Sequence, residues 1–249
     1  MSSFHSIGTP FTELLRVDST NNYAMGLARA GMAHHGHAVF AHEQTKGRGQ
    51  RSREWTSQSG KNIALSLVIE PAGLPSQMFL LSMAVANGTL TFLNQFMADE
   101  GRIKWPNDLY WRDRKAGGIL IENIWVGNEW KFAIVGIGLN INQTDFGELG
   151  TRAVSLKQIS GRDFVPIELA QDLCNYIQKQ YNLLMDRRSE VIAQYRAQLY
   201  KLNEKVRLKK GARSFEGIVR NVTEDGRLVV ETATEESFEV GEIEWLMNG

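Results

Sequence analysis

The sequence offers nothing that would staple the chain with disulfides or anchor it in a membrane. Its 249 residues hold a single cysteine, Cys174, so no intramolecular disulfide can form. Cys174 sits in the helix-like stretch LAQDLCNYIQ and reads as a small buried apolar residue. No apolar run approaches the ~18 residues of a membrane span. The N-terminal MSSFHSIGTPFTELL has no basic start followed by an apolar stretch, so it does not read as a secretory signal. Charge of one sign is not in excess either, with 28 Lys plus Arg against 28 Asp plus Glu. That balance disfavours a general nucleic-acid binder, which usually carries a basic surplus. Repeats and low-complexity tracts are missing as well. These absences lead to an expected cytoplasmic, globular protein of one or two domains.

The patterns that are present alternate between strand and helix. FTELLRVDS reads as a strand and STNNYAMGLARAG as a helix, with Ser19 or Thr20 capping its start and Gly31 stopping it. HAVFAHE and NIALSLVIE are strands, and residues 76–99 have the apolar spacing of a long buried helix. RIKW is a strand that ends at Pro106. Two strands flank a turn at Gly127-Asn128, and residues 166–202 read as two helices. From about Asn203 the pattern changes to short strands with an Asp225-Gly226 turn. The expected fold is α+β, a mixed and mostly antiparallel sheet with helices over residues 1–202. A small β-barrel-like domain is expected over 203–249.

Three segments point to chemistry. The first is EQTKGRGQRSREW, 43–55. From Lys46 to Lys61 five basic residues stand against one acid, Glu54, a net of +4. Gly47 and Gly49 can let successive N–H groups converge on an anion, and arginine forks bind phosphate or carboxylate in pairs. A solvated basic loop is the plainer alternative. The second is KWPNDLYWRDRKAGGILIE, where Pro-Asn-Asp follows Lys104 at a strand end. That is ordinary turn chemistry, but Lys115 could also be a fixed cation. The third is VGIGLNIN. Gly136 and Gly138 allow close approach of a ligand, and Asn140 and Asp108 are hard oxygen donors that suit Mg²⁺. The triplet His34, His35, His37 lacks a fourth ligand for zinc and reads as a polar connector.

Together DSTN (18–21), EQTKGRGQRSREW, KWPND (104–108), RKAGGILIE (114–122) and GIGLNIN (136–142) resemble the biotin protein ligases, with GEIEWL (241–246) resembling their C-terminal module. The resemblance implies a class II synthetase-like catalytic fold and a C-terminal SH3-like β-barrel. It implies a two-step ligase: biotin and ATP give biotinyl-5′-AMP, and a lysine of a biotin carboxyl carrier domain then takes the biotin. By the same resemblance Ser19, Thr20, Asn21, Gln44, Gly47, Arg48, Lys115 and Gly118 would hold biotin. Arg51, Arg53, Trp55, Lys104, Asn107 and Asn140 would contact ATP or the adenylate. Lys115, Arg48 and Asp108 would be catalytic, and Asp108 and Asn140 would orient Mg²⁺.

Gln50 and Ser52 depart from the arginine and glycine of many members, which leads to an expected modest leakage of biotinyl-AMP. The early start of the signature leaves no room for the DNA-binding domain of bifunctional members, so operator binding is not expected. The competing readings are a lipoate or octanoate ligase, a nucleic-acid-binding regulator, and a scaffold that binds biotin without turnover. Homodimerisation and carrier docking at exposed strand edges both stay open.

Overall fold

A computed structural model of the protein describes residues 6–71 and 78–246. The main sheet has seven strands: β1 (Phe11–Val17), β2 (Ala38–Gln44), β3 (Ile63–Ile69), β4 (Gly101–Lys104), β5 (Asp108–Trp111), β6 (Arg114–Val126) and β7 (Glu129–Leu139). Their order across the sheet is β1-β2-β3-β7-β6-β5-β4. Only β1 and β2 pair in parallel, and helix α1 (Thr20–Arg29) forms the crossover between them. Every other pairing is antiparallel, in keeping with the mostly antiparallel expectation.

Side chains alternate between the two faces of a strand, and that alternation divides the sheet's work. In β3 and β7 the odd positions Ile63, Leu65, Leu67, Ile69, Ala133, Val135, Ile137 and Leu139 enter the main apolar core. Covering that face are α2 (Met78–Met97), the short α3 (Leu156–Ser160), α4 (Pro166–Asp186) and α5 (Arg188–Ala197). On the opposite face Val68, Phe132 and Ile134 pack under α1 through Ala24 and Ala28. A strand buried on both faces reads as a continuous apolar run, which explains IALSLVI. Its one polar residue, Ser66, is fully buried. The long helix was expected from residue 76; Ser76 and Gln77 lie outside the described residues.

Two local expectations change. Ser19 holds the N-cap position of α1 with extended backbone, but its hydroxyl makes no cap bond, because that side chain belongs to a cleft described below. The helix ends at Arg29, with Gly31 two residues on at φ 69°. The histidine connector is partly interior: His35 and His37 are buried. His35 Nδ1 accepts from the Glu70 amide at 3.2 Å, and His37 Nε2 lies 2.9 Å from Thr12 Oγ1.

A second, five-stranded antiparallel sheet follows: β8 (Lys205–Lys210), β9 (Arg213–Val222), β10 (Leu228–Glu231), β11 (Glu235–Phe238) and β12 (Glu244–Trp245), in the order β11-β10-β9-β8-β12. Its inner residues Leu208, Val219, Val222, Leu228, Val230, Phe238 and Ile243 join the same apolar cluster as the main body. The turn between β9 and β10 docks under the KWPND turn, where Trp105 Nε1 donates to the Gly226 carbonyl at 2.9 Å. Arg196 Nε donates to the Val222 carbonyl at 2.9 Å nearby.

Glycines of α1 and α2 make opposite predictions. A β-carbon at Gly88 would lie 3.0–3.2 Å from the backbone of Tyr176 and the side chain and backbone of Ile177 in α4. Gly26, on the exposed side of α1, has open space around it. Gly88→Val should therefore destabilise by ~1–3 kcal/mol through overpacking. Gly26→Ala should stabilise by ~0.5–1 kcal/mol through lower helix-forming cost. Urea unfolding of the two variants checks both signs.

Candidate active site

One transverse row of the main sheet builds the floor of a cleft. Register pairs Ala64 with Gly138, Gly138 with Gly118, Gly118 with Asp108, and Asp108 with Lys104. The next row pairs Ser66 with Gly136 and Gly136 with Leu120. Residues directly across a ladder share a face, so these two rows present one surface with a glycine trough along β7 and β6. The trough is needed. A β-carbon at Gly136 would overlap the Asn21 amide, and one at Gly138 would overlap the Trp55 indole.

Lys115 reaches this face because of a bulge. As an odd-numbered residue of a regular β6 it would point into the core. The register slips between Leu109 and Tyr110, so that Leu109 pairs with Gly117 but Tyr110 pairs with Lys115. A bulge re-aims the side chains beyond it. Lys115 Nζ consequently lies 2.6 Å from Asp108 Oδ1, with both side chains about one-third exposed or less.

The cleft has a volume of about 560 Å³, within the range of small-molecule sites. One end is polar and uncharged at its base. Gln44 Oε1 accepts from the Thr20 amide at 2.8 Å and from Thr20 Oγ1 at 3.1 Å. Ser66 Oγ donates to Asn21 Oδ1 at 2.6 Å and stands 2.7 Å from Thr20 Oγ1. Asn21 Nδ2 donates to Glu122 Oε2 at 2.9 Å. Glu122 Oε1 in turn pairs with Arg48 at 2.9 Å, and Arg48 also donates to Asn22 Oδ1 at 2.8 Å.

The other end is cationic. Arg51, Arg53, Lys104, Lys115 and Arg152 line it, against Glu54, Asp108 and Glu244. Lys104 is buried; its Nζ is 3.2 Å from Tyr110 Oη and stands over the rings of Tyr110 and Trp245 at 4.7 and 5.5 Å. Burial pushes this ammonium down to about 8; Asp108 opposes the shift, while Lys115 and Arg53 add to it. Burial, with Asp108 adding, raises Tyr110 and keeps it a phenol. Trp55 Nε1 and Trp245 Nε1 are buried donors with no partner among the described residues, and both tryptophans line the cleft. Such donors suit an acceptor-rich ligand.

The charged loop of 47–55 is itself a small hairpin. Trp55 N donates to the Gly47 carbonyl at 2.9 Å and Gly49 N to the Arg53 carbonyl at 2.8 Å. Gly47 must be glycine, since a β-carbon there would overlap the Trp55 carbonyl. Gln50–Ser52 form a 3₁₀ turn at the tip, with Arg51 at φ 55°.

Of the residues singled out from sequence, Ser19, Thr20, Asn21, Gln44, Arg48, Arg51, Arg53, Trp55, Lys104, Asn107, Asp108, Lys115, Gly118 and Asn140 all line this cleft. Gly47 is set back from it, packed against the Trp55 carbonyl at the base of the loop. Asn107 spends its amide on the Ile119 carbonyl at 2.6 Å. Asn140 gives its NH₂ to the carbonyls of Lys115 and Val154, at 3.3 and 3.1 Å, so only its oxygen is left for a ligand. Arg48 is committed to Glu122 and Asn22, and a ligand reaching it competes with both. Sequence reasoning missed Ser66, Glu122, Tyr110, Arg152 and Trp245 as site residues. Ser66 had a signal, the single polar residue of an apolar strand, and Glu122 closed a quoted segment.

A polar recess joined to a cationic trough, on an antiparallel sheet followed by a small β module, is the architecture of a protein ligase. Residues 14–140 match the Biotin/lipoate A/B protein ligase family and residues 201–245 match the Biotin protein ligase C terminal domain. The chain belongs to the Biotin/lipoate A/B protein ligase family. It is 32% identical over 225 residues to the biotin--[acetyl-CoA-carboxylase] ligase of Paracoccus denitrificans, covering 87% of this chain and 92% of that one. It is 31% identical over 221 residues to the Escherichia coli bifunctional ligase/repressor BirA, covering 86% of this chain and 67% of the relative. The chain spans about half the length of the curated Bacillus relatives it matches. The Aquifex aeolicus biotin protein ligase, solved in complex with biotin and ATP, superposes with a TM-score of 0.81 at 26% identity, covering 96% of this chain and 100% of that one.

The buried Lys104 makes a pH prediction. Its folded value of about 8 lies below the ordinary 10.5. Between these two pH values the unfolded chain holds a proton that the folded chain has released, so this group's contribution to stability rises with pH. Wild-type stability relative to Lys104→Met should climb across that window, by at most ~1.4 kcal/mol per pH unit. Paired urea titrations at several pH values read the difference. A flat difference would show that the ammonium is not desolvated.

Proposed function

We propose that this cleft activates biotin with ATP and then transfers it to a lysine of a carrier protein. The observation that carries the reading is the single surface on which the polar recess and the cationic row meet, with Lys115 at their junction beside Asp108. A carboxylate and a triphosphate repel one another, and free carboxylates resist attack by amines. Preorganised cations answer the first difficulty, and an AMP leaving group answers the second.

Thr20, Asn21 and Gln44 offer donors and acceptors to biotin's ureido ring, and Ser66 holds two of them in place. Biotin's carboxylate would then lie toward Lys115. A carboxylate oxygen attacks the α-phosphorus, a new P–O bond forms, and the bond to the β-phosphate breaks to release pyrophosphate. Lys115 bridges the two reacting anions, and Arg51 and Arg53 face the departing phosphates. The residues fit Mg²⁺ brought with ATP: Asp108 and the Asn140 oxygen are two hard donors, about what this ion takes from protein when phosphates supply the rest. Bound there, it would screen phosphate charge.

In the second step an acceptor amine attacks the acyl carbon, the acyl–oxygen bond breaks, AMP leaves, and the amine loses a proton. A lysine of pKa ~10.4 is neutral only about one part in 2,500 at pH 7, a deficit of ~4.6 kcal/mol. Asp108, 2.6 Å from Lys115 Nζ, is the candidate base for that proton. The acceptor follows from the relatives named as acetyl-CoA-carboxylase ligases: a biotin carboxyl carrier protein. Among the described residues no helix is long and apolar enough to cross a membrane.

Lipoate is the alternative substrate, because the family includes its ligases. The polar recess favours a ring with a urea over an apolar chain. Incubation of the protein with biotin, ATP and a carrier domain should add one biotinyl group by mass spectrometry, and lipoate should not compete. Lys115→Ala should reduce pyrophosphate release by roughly 10²–10³-fold while the unfolding midpoint stays near wild type. Unchanged release would remove Lys115 from the chemistry.

A further inference from the structure

The C-terminal module reaches the cleft through one turn and one strand. Val240, Gly241, Ile243, Glu244 and Trp245 all line it. At Gly241 the contact is specific. The Arg51 guanidinium occupies the space in which a side chain on Gly241 would stand. Gly241 has φ +95°, a conformation that L side chains rarely adopt, so turn geometry and open space both call for glycine. The seat is stiff. Glu242 N donates to the Glu239 carbonyl at 3.0 Å, Glu239 N donates to Glu242 Oε2 at 2.9 Å, and Lys210 and Arg227 pair with Glu242 and Glu239.

The partner sits at the tip of a loop. The loop enters through Gly47 and turns at Gln50–Ser52, and Arg51 sits at φ 55° in a left-handed conformation. Such a conformation costs free energy and persists where surrounding contacts hold it. Within the loop the Gly49 N to Arg53 carbonyl and Arg53 N to Gln50 carbonyl bonds shape the tip. Among the described residues Arg51 makes no ion pair, and the Gly241 notch is where its guanidinium meets the C-terminal module. Arg48 and Glu122 anchor the loop's base at the polar recess, and Arg51 anchors its tip across the cleft mouth.

We propose that the Val240–Gly241 turn of the C-terminal module is a seat for Arg51, latching the 47–55 loop over the cleft and so setting how long the acyl-adenylate is retained. Gly241 is in this sense a positioning residue. The inference rests on the adenylate-forming function proposed above. It assigns the C-terminal module a task in the first half-reaction's product, distinct from docking a carrier.

A double-mutant cycle tests it, with two readouts on the intact chain. One is limited trypsin cleavage after Arg48 and Arg53. The other is the release of preformed biotinyl-AMP from the enzyme. Gly241→Ala fills the notch and should speed both by roughly five-fold or more. In an Arg51→Ala background the same substitution should change neither further, since the notch has lost its occupant. Additive effects, or loop protection unchanged in Gly241→Ala, would overturn the latch. If Gly241→Ala does not fold, Arg51→Ala alone must speed cleavage after Arg53, and unchanged cleavage would also overturn it. Failure of the wild type to form biotinyl-AMP would sink the proposed function; the trypsin arm would still decide the latch.

Discussion

Cations must be held ready in an empty site without pushing one another apart. Two unit charges 4 Å apart interact by ~4 kcal/mol at the effective dielectric of a protein surface. This protein meets that constraint by giving its cations resting partners. Lys115 leans on Asp108 at 2.6 Å, Arg48 on Glu122 at 2.9 Å, and Lys104 on the Tyr110 hydroxyl and two aromatic faces. On the function proposed above, ligand binding would be an exchange of partners, with phosphate or carboxylate oxygens replacing side-chain ones. Partial exposure matters here. Half-buried pairs are weak enough to open, whereas breaking fully buried ones would leave a costly lone charge.

The sheet turns this arrangement from a surface patch into a site. Alternation puts the heavy apolar residues of β3 and β7 on one face and leaves Ala64, Ser66, Gly136 and Gly138 on the other. The glycines lower the floor, so that Asn21 and the Trp55 indole can lie against backbone. A single extra residue in β6 then moves Lys115 from core parity to cleft parity. Without that bulge the chain would carry the same residues, but the Lys115 ammonium would face hydrocarbon.

The architecture was legible in the sequence wherever local chemistry was decisive. Strands rich in Ile and Val, helix spacing and the glycine-bearing turns all signal themselves within a few residues. The family segments brought the cleft residues to notice one by one. Their mutual contacts were not legible, because these are set by register. Nothing local to Ser66 says that it stands across from Gly136, and nothing local to Lys115 reveals the bulge. Arg48 illustrates the same limit. Its charge and neighbours suggest a free ligand for an anion, yet its principal partner is Glu122, 74 positions away in sequence. Trp245 shares the difficulty, being brought over Lys104 only by the second sheet.

Strand content changes near residue 203, where the second sheet begins with β8 at Lys205. The physical division is less sharp. Val219, Val222, Leu228 and Phe238 belong to one apolar cluster with Leu80, Phe92 and Tyr195, so neither part buries its inner face alone. The Trp105 indole donates to Gly226 in the β9–β10 turn, and Trp105 opens the turn that carries Asn107 and leads into Asp108. A displacement of the β9–β10 turn therefore has a short route to the carboxylate beside Lys115. Interiors packed at crystal-like density transmit such shifts rather than absorb them. The small sheet is accordingly part of the foundation on which the cleft floor stands, and its energetics cannot be separated from those of the cleft.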